Sequence, residues 1–321
     1  MIELKSLFRF LKSNPTEQDC VNYLEEIIWK EKTPTSPFDP TSEVYECADQ
    51  ETSSKSPVKY RRYRCRNTSK YFNVKNKTIF EGSNIEMKKW LLASWLYSSL
   101  KKGISSYQLA RFIDVDPKTG WFMLHRLRNA SDCPLFKEKL KDEWEGDEVF
   151  LGGSNPNRHW NKKVPRCQGR NWKDKIPVFV MEQRGGNAIA EVVPNVKRKT
   201  LFPIIRANAE EGSSAYTDEY PVYKGLDKWY NHQIVVHKMG QYVKQYADGK
   251  KASNNLVENF NSHLNRTIYG TYVMISRKHA QKYLDEFTFR RNTRNYSEQD
   301  RLNLLLSSTV GKRLTYKELV S

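Results

Sequence analysis

The chain reads as an α/β protein whose larger, C-terminal part is built on a mixed sheet, and three observations predict it. Five segments, "WEGDEVFLGG", "KIPVFVMEQ", "NAIAEVVP", "SAYTDE" and "NHQIVVHK", have the length and the Val, Ile and aromatic content of strands. Gly185 and Gly186 allow only a tight turn from the second to the third. Helical patterns at 197–210 and 219–226 interrupt the later strands, and others at 253–267 and 278–294 close the domain. Three strands joined tightly, followed by strands alternating with helices, describe a mixed sheet.

A chain of 321 residues exceeds the usual size of one core, so smaller modules should precede this domain. Lys and Arg number 54 against 37 Asp and Glu, a formal net charge of +17. Such an excess favours a polyanion, with nucleic acid the leading candidate and a generally solvated basic surface the alternative. No membrane partner is expected, because the longest apolar stretch, "WLLASWLYSSL", is too short to span a bilayer. The opening "MIELKSLFRFLKSNP" mixes charge into its apolar positions and offers no signal-peptide cleavage site. Five scattered cysteines fit reduced thiols. The expected location is therefore the cytoplasm.

Taken in order, residues 16–31 carry helical spacing and run into the Pro-rich loop "KTPTSPFDPTSE", which makes 1–43 an N-terminal helix and linker. Residues 44–82 alternate aromatic and Val positions about a polar turn, the pattern of a small β ribbon. From Lys59 to Lys77 there are eight Lys and Arg and no acid, interleaved with Tyr60, Tyr63, Tyr71 and Phe72. Arg61, Arg62 and Arg64 are the expected phosphate contacts and the rings the expected base platforms. Residues 83–130 predict an all-α helix-turn-helix module. A first helix ends at Gly103; Ser105 caps the next, Ala110 sits at the close approach, Asp114 takes the turn, and Asp116 with Pro117 starts the last. Lys118, Thr119, Trp121, His125, Arg126 and Arg128 would then read a major groove, unless the pair merely packs on a core. The mixed-sheet domain is expected over 140–296, with a basic insert at 157–175 holding Arg158, Lys162 and Lys163, and with Trp160 and Trp172 as stacking or lid aromatics. Residues 297–321 are expected as a C-terminal tail.

Three acids stand out: Asp147 inside the first strand, Asp218 at the end of "SAYT", and Glu258 on the helical face of "SNNLVENFNSHL". Strand ends converge in an α/β domain, so the two Asp suit a pair of hard divalent ions, with a helix delivering Glu258 from the side. Read singly, each acid equally suits a helix cap or an Arg partner. His232 and His237 lie at odd spacing on one strand and neither is expected as a catalytic base.

Several blocks, "GDEVFLGG", "NRHWNKKV", "GRNWKDKIPVFVMEQRGG", "VVPN", "YTDEY", "YNHQIVVH" and "NRTIYGTYVMISRKHAQKYLDEFTFRRNTR", closely resemble the ISXO-type insertion-sequence transposases of bacteria, relatives of the Merlin elements. The resemblance runs from about Tyr63 to Arg294. It implies a ribonuclease-H-like catalytic domain of the DDE class, preceded by the ribbon and the helix-turn-helix. Asp147 and Asp218 would be the first two catalytic acids and metal ligands and Glu258 the third, with Asn255 a rival there. It further implies two Mg²⁺ or Mn²⁺ ions, double-stranded DNA as substrate, a homodimer or higher oligomer on DNA, and association with a bacterial nucleoid. Two departures matter. Asn265 stands where the family usually has Lys or Arg, with Arg266 beside it as a substitute phosphate contact. Family members often carry two Cys-x-x-Cys knuckles in the ribbon, whereas Cys47 and Cys65 stand alone, so zinc is not expected. The expected function is a DNA transposase that cuts at its element's ends and joins the 3′ hydroxyl to target DNA. The alternatives are a transposase-derived DNA-binding regulator without catalysis, and a ribonuclease.

Overall fold

The computed structural model describes residues 6–29, 34–47, 60–153, 155, 158–165, 167, 173–235, 243–245 and 251–321. The chain divides into two compact units, Met1–Asp132 with Asn295–Ser321, and Cys133–Arg294.

The first unit starts with α1 (Leu7–Ser13) and α2 (Glu17–Ile28). Thr16 begins α2 with a capping box: its hydroxyl accepts from the Asp19 N–H, and the Asp19 carboxylate accepts from the Thr16 N–H. Three short antiparallel strands follow, β1 (Val44–Glu46), β2 (Tyr63–Cys65) and β3 (Tyr71–Phe72). The period of two turns Tyr63 and Cys65 inward and Arg64 outward. Tyr63 pairs with Phe72, and both are buried against Trp29, with ring centroids 5.1 and 6.5 Å from it. These two rings are therefore core, not base platforms. Tyr71 does stay exposed, under the Arg62 guanidinium at 3.9 Å.

Then come α3 (Met87–Ser99), α4 (Ser106–Ile113) and α5 (Pro117–Ser131). The local signals act as chemistry dictates. Ser105 Oγ accepts from the Gln108 N–H at 3.2 Å, Asp114 adopts a left-handed φ of 52°, and Asp116 takes the N-cap position of α5, without a side-chain capping bond, ahead of Pro117. The two helices approach closely at Gly120, where a Cβ would lie 2.9 Å from the Ser106 carbonyl oxygen and 3.4 Å from the Ala110 Cβ. Gly120→Val is expected to destabilise the unit by about 1–3 kcal/mol, because backbone rather than a flexible side chain must yield. An unchanged melting temperature would disprove this packing.

The second unit holds a five-stranded sheet in the order β6-β5-β4-β7-β8: β4 (Glu143–Leu151), β5 (Ile176–Gln183), β6 (Ala188–Val192), β7 (Ser214–Asp218) and β8 (Asn231–Val235). The β4–β5 and β5–β6 pairs are antiparallel; β4–β7 and β7–β8 are parallel. The expected mixed sheet is present. Helix α6 (Arg198–Asn208) precedes β7, and its Leu201, Phe202 and Ile205 bury one face of the sheet with Trp144, Phe179 and Met181. After β8 come the short antiparallel pair β9 (Val243–Gln245) and β10 (Lys251–Ser253). Helices α7 (Asn255–Thr267) and α8 (Ala280–Asn292) cover the other face, with Val257, Phe260, Leu264, Leu284 and Phe287 against Val149, Leu151, Val178 and Val180. Each such side chain contributes about 1.5–3 kcal/mol of burial. The stretch expected as a helix at 219–226 holds only two single turns, Pro221–Tyr223 and Leu226–Lys228, because Pro221 and the left-handed Gly225 (φ 88°) break it.

The chain ends in α9 (Glu298–Ser307) and α10 (Tyr316–Val320). This segment is no tail. Leu302, Leu305 and Leu306 are buried, α9 packs on α3 and α2, and Tyr23 Oη donates to Asn303 Oδ1 at 2.5 Å. Among the described residues no helix is long and apolar enough to cross a membrane.

Candidate active site

Strand pairing brings the first two acids together. β4 runs parallel to β7 with Glu145 opposite Tyr216. Asp147 and Asp218 lie two residues beyond this last paired position on neighbouring parallel strands, and the period of two puts them on the same face as Glu145 and Tyr216. The period of two puts Glu145, Asp147, Val149 and Leu151 on the α7 face of β4, and both Asp are half-buried. Behind them, the Tyr223 hydroxyl donates to Glu148, and its pKa is pushed well above the ordinary phenol value by burial, then by the charges of Glu148, Asp147 and Asp218. One buried phenol thus senses all three carboxylates.

Glu145 holds the helix that flanks this ledge. It is 1% exposed. Its Oε2 accepts from the backbone N–H of Leu256 (2.7 Å) and of Val257 (3.3 Å), the first turn of α7, where a carboxylate also answers the helix dipole. Its Oε1 accepts from Arg184 Nε (3.1 Å) and Nη2 (3.0 Å) and from Ser253 Oγ (3.2 Å). Arg184 also pairs with Glu143 at 2.8 Å and lies over the Tyr216 ring. From the helix so anchored, Asn261 Nδ2 donates to Asp147 Oδ2 at 2.9 Å, while Asn261 Oδ1 is buried with no hydrogen-bond partner among the described residues. Asp218 Oδ1 accepts from the Tyr220 N–H at 3.0 Å.

Glu145, Arg184 and Asn261 went unnoticed in the sequence as site residues. A period of two back from Asp147 points to Glu145, and a helical step of three on from Glu258 points to Asn261. Glu258 itself is exposed on α7, and Asn255 is exposed at its first position. Among the described residues no group of three or more His, Cys, Asp or Glu side chains is arranged to hold a metal ion. Asp147 and Asp218 do fit a hard divalent cation: they offer only oxygen donors, and the Asn261 amide bonded to Asp147 holds a further oxygen that is buried without a hydrogen-bond partner among the described residues. His232 bonds Thr217 Oγ1 at 2.8 Å, and burial lowers its pKa. His237 and Trp172 lie outside the described residues.

The expected DNA contacts separate by burial. Arg61, Arg62, Arg64, Lys118, Arg158, Lys162, Lys163 and Arg266 are exposed, as is Trp160 at 87%; Thr119 and Trp121 are half-buried. Arg61 lies 3.6 Å from Glu25. His125, Arg126 and Arg128 are buried, Arg128 with 1% exposed, and cannot enter a groove from there. Arg126 donates to the carbonyl oxygens of Ile79 (2.8 Å) and Leu314 (3.2 Å), and Asn129 to that of Lys312 (3.0 Å). The C-terminal segment thus packs along α5: Leu314 and Lys312 accept from Arg126 and Asn129, and the Tyr316 ring lies against Phe122 and under the exposed Lys118.

The ISXO2-like transposase domain matches residues 139–292, the whole five-stranded sheet with α6, α7 and α8. A protein of Halobacterium salinarum, described as an uncharacterized protein in transposable element ISH50, is 29% identical over 193 residues, 57% of this chain and 64% of that protein. The chain thus spans under two thirds of that relative's length. A Haemophilus influenzae protein described as an uncharacterized transposase-like protein is 31% identical over 109 residues, 34% of this chain and 83% of that protein. With the mixed sheet, the two aspartates on neighbouring parallel strands and these similarities together, the chain belongs to the ISXO2-like transposase family.

Proposed function

We propose that this chain binds the terminal inverted repeats of its element, cleaves the DNA there with water and joins the freed 3′ hydroxyl to target DNA, within a ribonuclease-H-like domain of the DDE class. Asp147, Asp218 and Glu258 are the catalytic acids, with Asn255 the alternative at the third position. The observation that carries this reading is the pair Asp147 and Asp218, on adjacent parallel strands of a transposase-family domain. Mg²⁺ or Mn²⁺ held by these acids would supply activation of the attacking oxygen and stabilisation of the leaving oxygen. The chain's own residues do the rest. Asn261 orients the Asp147 carboxylate, Glu145 fixes the start of α7 on the sheet, and Tyr223 stays protonated and ties down Glu148. Incubating the full chain with Mn²⁺ and a labelled duplex carrying its own element's end should yield cleaved ends and joined products. Failure to cut, with binding intact, would favour a DNA-binding regulator, the reading that Asn265 supports.

In this reading the ribbon and the α4–α5 pair are the end-binding part, contacting DNA through the exposed side chains, and two or more chains act together on the two ends. Lys118→Ala is expected to weaken end binding and lower the slope of log affinity against log salt by about one. Arg128→Ala, which empties a buried site, is expected to lower the melting temperature and leave that slope unchanged. If Arg128→Ala changes the slope and Lys118→Ala does not, α5 meets DNA through another face.

A further inference from the structure

The loop after α7 holds a backbone conformation that the candidate active site does not require. The helix widens into a π turn over Ile268–Tyr272, and Val273 then takes φ 63° and ψ −52°. The Met274 N–H donates to the Tyr272 carbonyl at 2.6 Å and closes a γ-turn of the rare positive-φ kind. A β-branched residue adopts this only when its surroundings impose it. Here they do. Tyr272 donates its hydroxyl to the buried Glu286 at 2.5 Å and stands edge-on to Tyr283, with centroids 4.8 Å apart. Glu286 is paired in turn with Arg290 at 2.6 Å. On the far side of the turn, the Arg277 guanidinium donates to the Lys175 carbonyl oxygen at 2.7 Å.

The result is a pinned tip that presents apolar side chains to solvent: Val273 is 73% and Met274 81% exposed, and Tyr269 stands exposed beside them. The charge around it has one sign. Between Glu258 and Asp285 there is no acid, while Arg266, Arg277, Lys278 and Lys282 fall in that stretch. A symmetric contact between two copies of the tip would bring these cations together, whereas a polyanion with a stacked apolar interior complements both features. The tip lies beyond the C-terminal end of α7, six residues or roughly 9 Å of helix past Asn261, the residue that meets Asp147.

We propose that Val273 and Met274 form an apolar wedge that enters DNA between stacked bases, with Arg266, Arg277 and Lys278 on the flanking phosphates. The inference rests on the reading of the chain as a DNA-processing transposase and adds to it a site that bends or unstacks the substrate. It is tested with the full chain, without divalent metal, on a paired duplex of mixed sequence and on the same duplex with a central mismatch. Because the mismatch removes part of the unstacking cost, the wild type should prefer it by about tenfold. Val273→Gly with Met274→Ser, which also relaxes the backbone, should bind the paired duplex with the wild-type salt slope and lose the preference; Met274→Leu should keep it. Equal binding of both duplexes by the wild type, or a preference that survives in the double variant, overturns the wedge and leaves the transposase reading standing. No binding to either duplex sinks both. A double variant that loses self-association in sedimentation while keeping the mismatch preference would make the tip an interface between copies, and the wedge would be wrong.

Discussion

Asp147→Asn and Asp218→Asn are each expected to reduce divalent-dependent cleavage and joining by at least about a hundredfold, with end binding unchanged. Each replacement keeps the shape of the side chain and removes the charge that a hard cation requires. Asp147 in its Asn form still meets Asn261, so the fold has no reason to suffer. Two half-buried carboxylates on neighbouring strand ends repel one another, and both also oppose ionisation of Tyr223. The metal-free melting temperature should therefore stay level or rise slightly. Glu258→Gln should abolish activity in the same way, and Asn255→Ala should be milder. Near-normal strand transfer in Glu258→Gln together with a dead Asn255→Ala would move the third position to Asn255. Undiminished cutting by both Asp variants would end the catalytic reading.

Glu145→Ala carries the largest expected change in stability. Glu145 is buried, and it accepts from Arg184, from Ser253 and from two backbone N–H groups of α7. Its truncation takes from Arg184 one of its two carboxylate partners, Glu143 remaining, and leaves the terminus of α7 without its acceptor, a loss of about 3 kcal/mol. For a unit of this size that lowers the melting temperature by roughly 10 °C. Glu145→Gln keeps the acceptor oxygen and should lose less, about 1–2 kcal/mol. Activity should fall in both, since Asn261 and Glu258 ride on the helix that Glu145 holds. Calorimetry of the metal-free protein gives the answer, and a shift for Glu145→Ala no larger than that for Glu145→Gln would show that the carboxylate does not anchor α7.

The parts of this protein determined by its sequence alone are those set by local chemistry. Ser105, Asp114, Asp116 and Pro117 mark the ends of α4 and α5 because caps and left-handed turns depend on a few adjacent residues. The five strands are legible because β-branched runs alternate with Gly and polar turns, and the position of Asp147 in the first of them follows from its neighbours Val149, Phe150 and Leu151. Only the tertiary structure decided which faces stay wet. Arg126, His125 and Arg128 read as groove contacts in sequence, yet all three are buried, and Arg126 is held by the carbonyl of Leu314, 188 positions away. Tyr63 and Phe72 look like stacking platforms until Trp29 closes on them. The same holds for the site. The placement of Asp147 and Asp218 on neighbouring strands depends on parallel pairing across about seventy residues of chain, and the roles of Glu145 and Asn261 exist only because α7 docks on β4. Capping is a matter of neighbours in sequence, whereas burial and strand register depend on segments far apart in the chain.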